Sequence, residues 1–561
     1  MKMLGVSFYY HDAAAALIEN GRVIVAAEEE RFTRRKHDSG FPKNAIRFCL
    51  DYTNTSASEL KSVVFYEKPI KKLERALVSS KSHGEQAAKL VDRHLRNFVH
   101  RESRIREDLL AALGCEVPVE YCEHHLSHAA SAFYTSPFER AAILTVDGVG
   151  EWATTGLYVG GPNGIEQVKE IHYPNSIGLF YAAMTAYLGF EVNEGEYKVM
   201  GLASYGQPTY DEQVSKLLTL HEDGSFTNNL DYFSYTYDET GMFTPKLVDL
   251  LGPARDPTEP VTERHMNIAA SLQKLCENAL VNLTKAAHRQ TGLENLCMAG
   301  GVAHNVVANS RILAESGFKQ IFIQPASGDS GSSIGAALQA YSGHAPISPL
   351  ELYDTCLGPS FSNEIVEEAL KQFGAEYERY APDALCEQTG RLLNDGFVIG
   401  WFQGRMEFGP RALGCRSILA SPCRSDMKEI LNARVKFREE FRPFAPAILE
   451  EYASEYFYQT GNSPYMLFCP KVREDKKDII PAVTHVDGTA RVQTVSKALN
   501  ARFYAMIEAF AKLSGVPVVI NTSFNVKGEP IVCTPVDALK CFYGTDIDFL
   551  VIGDFIVRKS F

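Results

Sequence analysis

Two histidines four residues apart, His124 and His128, stand in the stretch Glu123-His124-His125-Leu126-Ser127-His128-Ala129-Ala130. On a helix, this spacing puts both imidazoles on one face, which is how a helix offers two nitrogen ligands to a metal ion. A competing reading is that of buried, satisfied histidines in an Ala-rich core helix. A third candidate ligand is Asp147, at the end of the apolar run Ala142–Val146 and before Gly148-Val149-Gly150. A carboxylate at a strand terminus followed by glycines suits metal or phosphate binding, although Asp-Gly is also a plain turn pair. Further along, two apolar runs each lead into a polar glycine turn and a helix. The first turn is Ala299-Gly300-Gly301-Val302-Ala303-His304-Asn305, and the second is Gln324-Pro325-Ala326-Ser327-Gly328-Asp329. Such turns let phosphates or a ribose approach helix N-termini. Neither a Walker A loop nor G-x-G-x-x-G is present, so a nucleotide site here is of another type.

The elements that must position these groups follow from the pattern. Leu4–Phe8, Ala13–Ile18 and Val23–Ala27 read as three strands in a tight meander, the last two joined through Asn20-Gly21. His11-Asp12 lies in the first loop. The charge run Glu28–His37 follows the third strand; such runs are usually solvated faces, but this one abuts a sheet terminus, where ligand loops gather. Residues 42–115 read as mostly helical, with a short strand near Val63–Tyr66. Val117–Tyr121 is a strand feeding the histidine helix. A hairpin is expected over Thr155–Val159 and Ile165–Ile171, an apolar helix over Gly178–Gly189, and a polar turn over Gly195–Gly201. Residues 207–260 read as an irregular insertion, and Asn267–Gln290 as a long helix.

A boundary is expected near 342–362, which contains Pro346, Pro349, Gly358 and Pro359. This divides the chain into domains 1–355 and 356–561. In the second, Val398–Phe402 is a strand, followed by Gln403-Gly404-Arg405-Met406-Glu407-Phe408-Gly409-Pro410-Arg411. From Arg405 to Arg442 there are nine Lys/Arg against five Asp/Glu in a chain whose net charge is -13. Interleaved Gly and Pro argue for a loop region suited to phosphate oxygens; the alternative is a surface basic patch. Val516–Ile520 is expected as a strand leading into Asn521-Thr522-Ser523, and Ile547–Ile552 as the final strand.

Composition bounds the class. The 561 residues are 45% apolar and 22% charged, which is globular. The acidic balance disfavours a bulk grip on nucleic acid. No run is long and apolar enough for a membrane span, and the first residues do not read as a secretory leader. The twelve cysteines contain no C-x-x-C pair and read as reduced, packed thiols. A cytoplasmic enzyme is the expectation.

In order along the chain, His11-Asp12, Glu28–His37, His124–His128, Val146-Asp147-Gly148, Gly195–Tyr205, Ala299–Asn305 and Gln324–Asp329 resemble one family. Gly404–Ser417, Val435–Pro446, Asp487–Arg491 and Asn521–Pro530 continue the match. The family is that of the carbamoyltransferases acting in tobramycin, cephamycin and nodulation-factor biosynthesis. The resemblance implies an α/β chain with an N-terminal domain of the actin-like ATPase (sugar kinase/Hsp70/actin) fold and a YrdC-like α/β C-terminal domain. It implies that ATP and carbamoyl phosphate form carbamoyl adenylate in the second domain, and that the carbamoyl group then passes in the first to a hydroxyl of a small-molecule acceptor, a secondary metabolite or sugar. No nucleic acid or membrane partner is expected. By this resemblance His124, His128, Asp147 and Asp329 hold Fe(II), a set also suited to Zn or Mn, and Mg is a further candidate cofactor. His11 is the implied catalytic base. Lys36, Asp147, Lys198, Gly301 and Asn305 are implied to bind carbamoyl adenylate. Arg411, Lys436, Arg442, Met466, Arg491, Asn521 and Ser523 are implied to bind ATP and carbamoyl phosphate. His304 departs from the family pattern and either touches the acceptor or caps a turn. Two other readings compete: a tRNA threonylcarbamoyladenosine-type modification enzyme, and a nonenzymatic nucleotide sensor of the actin-like fold.

Overall fold

The structure is a computed structural model, described for residues 1–559 apart from 239, 440, 459 and 460. It divides into two compact units. The first comprises residues 1–26 and 39–353, the second residues 27–38 and 354–561.

The first unit carries two five-stranded sheets. β1 (Lys2–Ser7), β2 (Ala14–Glu19) and β3 (Arg22–Glu28) form the meander, and β4 (Leu60–Phe65) and β5 (Val119–Tyr121) extend it in the order β3-β2-β1-β4-β5. β1 is antiparallel to β2 and parallel to β4, which is parallel to β5. Asn20 and Gly21 both have positive φ, the geometry that lets a two-residue turn follow the strands' twist. The second sheet repeats this plan. β6 (Ala141–Val146), β7 (Ala153–Gly161) and β8 (Gly164–His172) form the meander. After a small hairpin of β9 (Leu218–Leu220) and β10 (Phe226–Asn228), β11 (Asn295–Ala299) and β12 (Gln320–Ile323) lie parallel to β6, in the order β8-β7-β6-β11-β12. Two copies of one five-stranded order, each strand set followed by helices, is the duplicated topology of the actin-like ATPase class.

Two helices fill the space between these sheets. His124–Phe133 packs on β6, β7 and β11; Asp329–Ser342 packs on β1, β2 and β4; and the two helices pack on each other. Their facing residues are small, which permits close approach. A Cβ on Gly335 would lie 1.8 Å from the Ser127 carbonyl oxygen. Glycine at 335 is therefore a condition of this packing, not a tolerated weakness of the helix.

The second unit is built on one mixed eight-stranded sheet. Its strands are β13 (Glu376–Arg379), β14 (Ile399–Phe402), β15 (Arg416–Ala420), β16 (Ala445–Leu449), β17 (Gln493–Val495), β18 (Val518–Ser523), β19 (Phe549–Ile552) and β20 (Phe555–Arg558), ordered β13-β20-β19-β14-β15-β18-β16-β17. Trp401, Phe503 and Phe510 anchor its core, and Trp401 Nε1 donates to the Gly414 carbonyl at 2.9 Å.

Several expectations need correction. Gly195–Gly201 is not a turn: Glu196–Ala203 is a helix. β18 runs on through Ser523, so Asn521 and Ser523 lie within the strand. The last strand is β20, one hairpin beyond the one expected. The insertion 207–260 holds the β9–β10 hairpin and a helix at Pro245–Leu251. Of the two readings of the charge run after β3, the solvated face does not hold for its first part: Glu28, Glu29, Glu30 and Arg31 are buried. Arg31 pairs with Glu28 and Glu30 and donates to the Gly409 carbonyl at 2.8 Å, and Arg34 donates to the carbonyls of Ile531 and Pro530 at 2.7 and 2.8 Å. Burial of the run requires these partners.

Candidate functional site

In the first unit the candidate residues gather at the carboxyl ends of the parallel strands, where ligands bind in open α/β sheets. His11 follows β1, Tyr66 follows β4, and the histidine helix follows β5. Asp147 follows β6, Gly301 follows β11, and Asp329 opens the helix after β12. Asp147 Oδ2 lies 3.1 Å from His124 Nε2 and 3.0 Å from His128 Nε2, and the two imidazole nitrogens are 3.2 Å apart. Asp329 Oδ1 lies 3.5 Å from His128 Nε2 and 3.8 Å from His124 Nε2. One ligand atom from each of the four falls within 4.8 Å of all the others.

The supporting contacts leave these atoms facing inward. His128 Nδ1 pairs with Ser332 Oγ at 3.1 Å, which directs Nε2 at the centre. Asp147 Oδ1 accepts from Gly148 N–H at 2.7 Å and Gly301 N–H at 3.3 Å, leaving Oδ2 for the histidines. A Cβ on Gly300 would meet the Val146 carbonyl at 2.2 Å, so only glycine lets this turn approach β6. His125 points elsewhere, its Nδ1 2.7 Å from Thr145 Oγ1, and burial holds its pKa well below the usual histidine value.

The electrostatics fit a cation. Burial pushes both carboxyls up, but hydrogen bonds and charge from His124 and His128 hold Asp147 well below the usual carboxylate range. The charges of His11 and His124 lead in lowering Asp329. Burial pulls His128 down, yet its bonds to Asp147 and Asp329 raise it to about 9. Two imidazole nitrogens and two carboxylates aimed at one point are a donor set for Fe(II), Zn(II) or Mn(II).

His11 stands beside this cluster. Its Nδ1 lies 2.9 Å from Asp12 Oδ2 and its Nε2 3.9 Å from Asp329 Oδ2. Burial pulls His11 down, but Asp329 and Asp12 raise it to about 10. Tyr9 and Asp12, both at positive φ, turn the backbone sharply around it. Lys198 lies half-buried on the Glu196–Ala203 helix, whose Glu196 is near enough to feel the His11 charge. Asn305 caps the Val306–Glu315 helix, and its side chain pairs with Gln273 at 3.0 and 3.1 Å. His304 meets Ser327 Oγ at 3.2 Å.

In the second unit Lys436 ends a wide helical turn, Leu431–Lys436, and is buried. Its Nζ donates to the Ser523 carbonyl and the Asn525 side-chain oxygen at 2.7 Å and to the Asn525 carbonyl at 3.0 Å. Burial holds its pKa well below the usual lysine value, and the charges of Arg438, Arg442 and Lys36 add to this. Lys36 lies in the same unit, near enough for its charge to act on Lys436. Burial, with Arg442, lowers Arg491 to about 10, and its Nε is buried without a hydrogen-bond partner among the described residues.

Two positions before Ser523 on β18, Asn521 donates to the Ala412 carbonyl at 3.2 Å and Gln493 Oε1 at 2.7 Å, and its own Oδ1 is buried without a partner among the described residues. Arg411 therefore sits next to a residue bonded to Asn521. Met466, at positive φ, packs on Leu413 and Ala445. The Gly404–Gly414 loop is folded around Glu407, whose Oε1 accepts from the backbone of Leu413 and Cys415 at 2.7 Å each. Not every arginine of the basic stretch is available: Arg416 is fully buried, 3.6 Å over the Phe402 ring, and donates to four backbone carbonyls. Crowded, partly desolvated cations and orphaned polar atoms are what a bound polyanion would complete.

Sequence reasoning missed Tyr66, whose hydroxyl is 3.5 Å from Asp329, and Ser332, Gln493 and Asn525. Ser332 was within reach, since three residues past Asp329 is the same helix face.

Comparison with known proteins agrees with this layout. The family model "Carbamoyltransferase N-terminus" matches residues 2–338, and "Carbamoyltransferase C-terminus" matches 390–559. An uncharacterized protein of Synechocystis sp. is 45% identical over 602 residues, covering 100% of this chain and 97% of its own. Nodulation protein NolNO of Sinorhizobium fredii is 38% identical, over 98% of this chain and 79% of its own. Nodulation protein NolO of Bradyrhizobium diazoefficiens is 41% identical, over 78% of each. Among solved structures, component A of the Acidaminococcus fermentans (R)-2-hydroxyglutaryl-CoA dehydratase matches 61% of this chain and 99% of its own, at 12% identity and a TM-score of 0.34. HypF of T. kodakarensis matches 61% of this chain and 48% of its own, at 13% and 0.30. Matched by both family models in order along two α/β units, the chain belongs to the carbamoyltransferase family and is an enzyme that transfers carbamoyl groups.

Proposed function

We propose that the chain is an O-carbamoyltransferase that uses ATP and carbamoyl phosphate and carbamoylates a hydroxyl of a small-molecule acceptor, a sugar or secondary metabolite. In the first step water cleaves carbamoyl phosphate into carbamate and phosphate, and a carbamate oxygen attacks the α-phosphorus of ATP, so that the bond to pyrophosphate breaks and carbamoyl adenylate forms. Both substrates are polyanions. Lys436, Arg442, Arg491, Arg411 and Lys36 would offset their repulsion, while Asn521 and Ser523 orient them. Burial holds the Lys436 pKa below the usual lysine value, and a bound phosphate would act in the opposite direction.

In the second step the acceptor oxygen attacks the carbamoyl carbon, the bond to the adenylate oxygen breaks, and AMP leaves. Asp12 at His11 Nδ1 holds the ring so that Nε2 faces Asp329 and the site. His11 Nε2 would take the acceptor proton; with its pKa raised to about 10 the ring is protonated at neutral pH, and it becomes a base only once the Asp329 charge that raises it is compensated. His124, His128, Asp147 and Asp329 would hold the metal, proposed as Fe(II), which when bound supplies Lewis-acid polarisation of the carbamoyl group. Mg is proposed to accompany ATP.

The observation that carries this reading is the convergence of four ligand atoms from three strand ends, beside a histidine already fixed by a carboxylate. The test is incubation with ATP, with and without carbamoyl phosphate. Pyrophosphate release that depends on carbamoyl phosphate is expected; its absence sinks the adenylate mechanism.

A further inference from the structure

We infer that Glu151 is a positioning residue of the metal centre, clamping the first turn of the histidine helix so that His124 meets the ion. This rests on the reading of His124, His128, Asp147 and Asp329 as metal ligands. The two histidines are held differently. His128 is fixed at its ring, through Nδ1 and Ser332. Among the described residues the Nδ1 of His124 is buried with no hydrogen-bond partner, so no side-chain hydrogen bond orients that ring from its far side. The hydrogen-bonded support of His124 away from the centre reaches it through its backbone.

Glu151 does so. Glu123 occupies the N-cap position of the helix but makes no side-chain cap. The backbone N–H of His124 is instead taken by both oxygens of Glu151, at 3.0 and 3.1 Å. This N–H is one of the orphan donors of a helix start, and a carboxylate there also complements the helix dipole. The same Oε1 accepts from Lys68 N–H at 2.8 Å, in the segment that follows Tyr66. Glu151 is 6% exposed, and burial raises its pKa, so its retention in this place carries a cost that its three backbone bonds offset.

Its position in the chain explains why the clamp matters. Glu151 is four residues after Asp147, on the loop that carries that ligand. Gly150 between them packs on His124 so closely that a Cβ would lie 2.9 Å from its ring. Arg75 donates to the Gly150 carbonyl, and Gly150 N–H donates to the Ala153 carbonyl at 2.9 Å. A single rigid loop therefore presents Asp147 and fixes the turn bearing His124. Two ligands from different elements are set in one frame.

The experiment measures affinity of the full-length protein for Fe(II) and Co(II) by chelator competition, together with the Co(II) d–d spectrum. Glu151→Ala and Glu151→Gln are compared with the wild type. Loss of an outer-shell partner costs about 10–100-fold in metal affinity. Glu151→Ala is expected to fall in that range with an altered d–d spectrum. Glu151→Gln, which keeps one acceptor oxygen for the His124 N–H but loses the charge and the second bond, is expected to fall between Glu151→Ala and the wild type, measurably below the latter. Carbamoyl-phosphate-dependent pyrophosphate formation is expected to stay at the wild-type rate in both. If Glu151→Ala does not fold, a measurable weakening in Glu151→Gln decides for the proposal, and wild-type affinity in Glu151→Gln decides against it. Wild-type affinity and spectrum in Glu151→Ala overturn the proposal. A wild-type protein that binds neither ion overturns the metal reading beneath it, and the two failures are thereby distinct.

Discussion

Gly335→Ala sets two effects of opposite sign against each other. Alanine in a helix interior is favoured over glycine by about 1 kcal/mol. Against this, the new Cβ would stand 1.8 Å from the Ser127 carbonyl oxygen and 2.7 Å from the Ser131 nitrogen, both backbone atoms of the facing helix. No side chain can swing aside. Restoring even 3.0 Å requires the two helices to part by about 1.2 Å, and overpacking of this kind costs about 1–3 kcal/mol or more. The clash wins, and a net loss of about 2 kcal/mol is expected.

The functional loss is larger than the stability loss, because Asp329 rides on one helix and His128 on the other. Their separation, 3.5 Å between Nε2 and Oδ1, would widen by a similar amount. Metal–ligand lengths tolerate about 0.2 Å, and a misplacement of about 1 Å can cost on the order of 100-fold in rate. The assays are thermal unfolding and carbamoyl transfer, with pyrophosphate formation as the control for the second unit. Gly343→Ala, on the residue that ends the same helix, is the matched control: its Cβ meets only the Ala340 carbonyl at 3.4 Å, and a change within about 0.5 kcal/mol is expected. Wild-type stability and transfer in Gly335→Ala would refute the argument that helix proximity sets the metal centre.

Other predictions concern single residues. Arg491→Ala should abolish carbamoyl-phosphate-dependent pyrophosphate release while leaving the fold intact, as judged by circular dichroism; retained release removes Arg491 from the polyanion site. His11→Asn should spare pyrophosphate release and slow carbamoyl transfer about 100-fold or more; unchanged transfer excludes it as the base. Burial lowers His485 from the usual 6.5 to about 4, so the folded second unit keeps it neutral. Its contribution to stability is present above pH 6.5 and is lost as pH falls from there towards 4. Urea melts across that window should show a shallower loss in His485→Gln, and equal slopes would contradict the assignment.

Much of the first unit was legible because its strands are short apolar runs bounded by turn residues: β1 to β6, β11 and β12 lie within a few residues of the expected positions. The histidine helix and its two carboxylates could be proposed one at a time from spacing and strand-end position. Their union could not, since it depends on helices 200 residues apart meeting through Gly335. The second unit was harder to read. β15 and β16 hide in a stretch whose charges suggest a loop, because Arg416 is satisfied by backbone carbonyls and an aromatic face instead of solvent. The Glu196–Ala203 helix reads as a turn in the sequence because glycines bracket a segment too short to show a period. The burial of Glu28–Arg31 was invisible for a similar reason: the Arg31 partner Gly409, like the Arg34 partners Pro530 and Ile531, lies hundreds of residues away.

The division of labour between the two units is tested most directly by one paired measurement. Pyrophosphate release and carbamoyl transfer are followed separately in His124→Ala and Lys436→Ala. The account predicts that His124→Ala keeps carbamoyl-phosphate-dependent pyrophosphate release and loses transfer, whereas Lys436→Ala loses both. A folded His124→Ala protein that releases no pyrophosphate would contradict it.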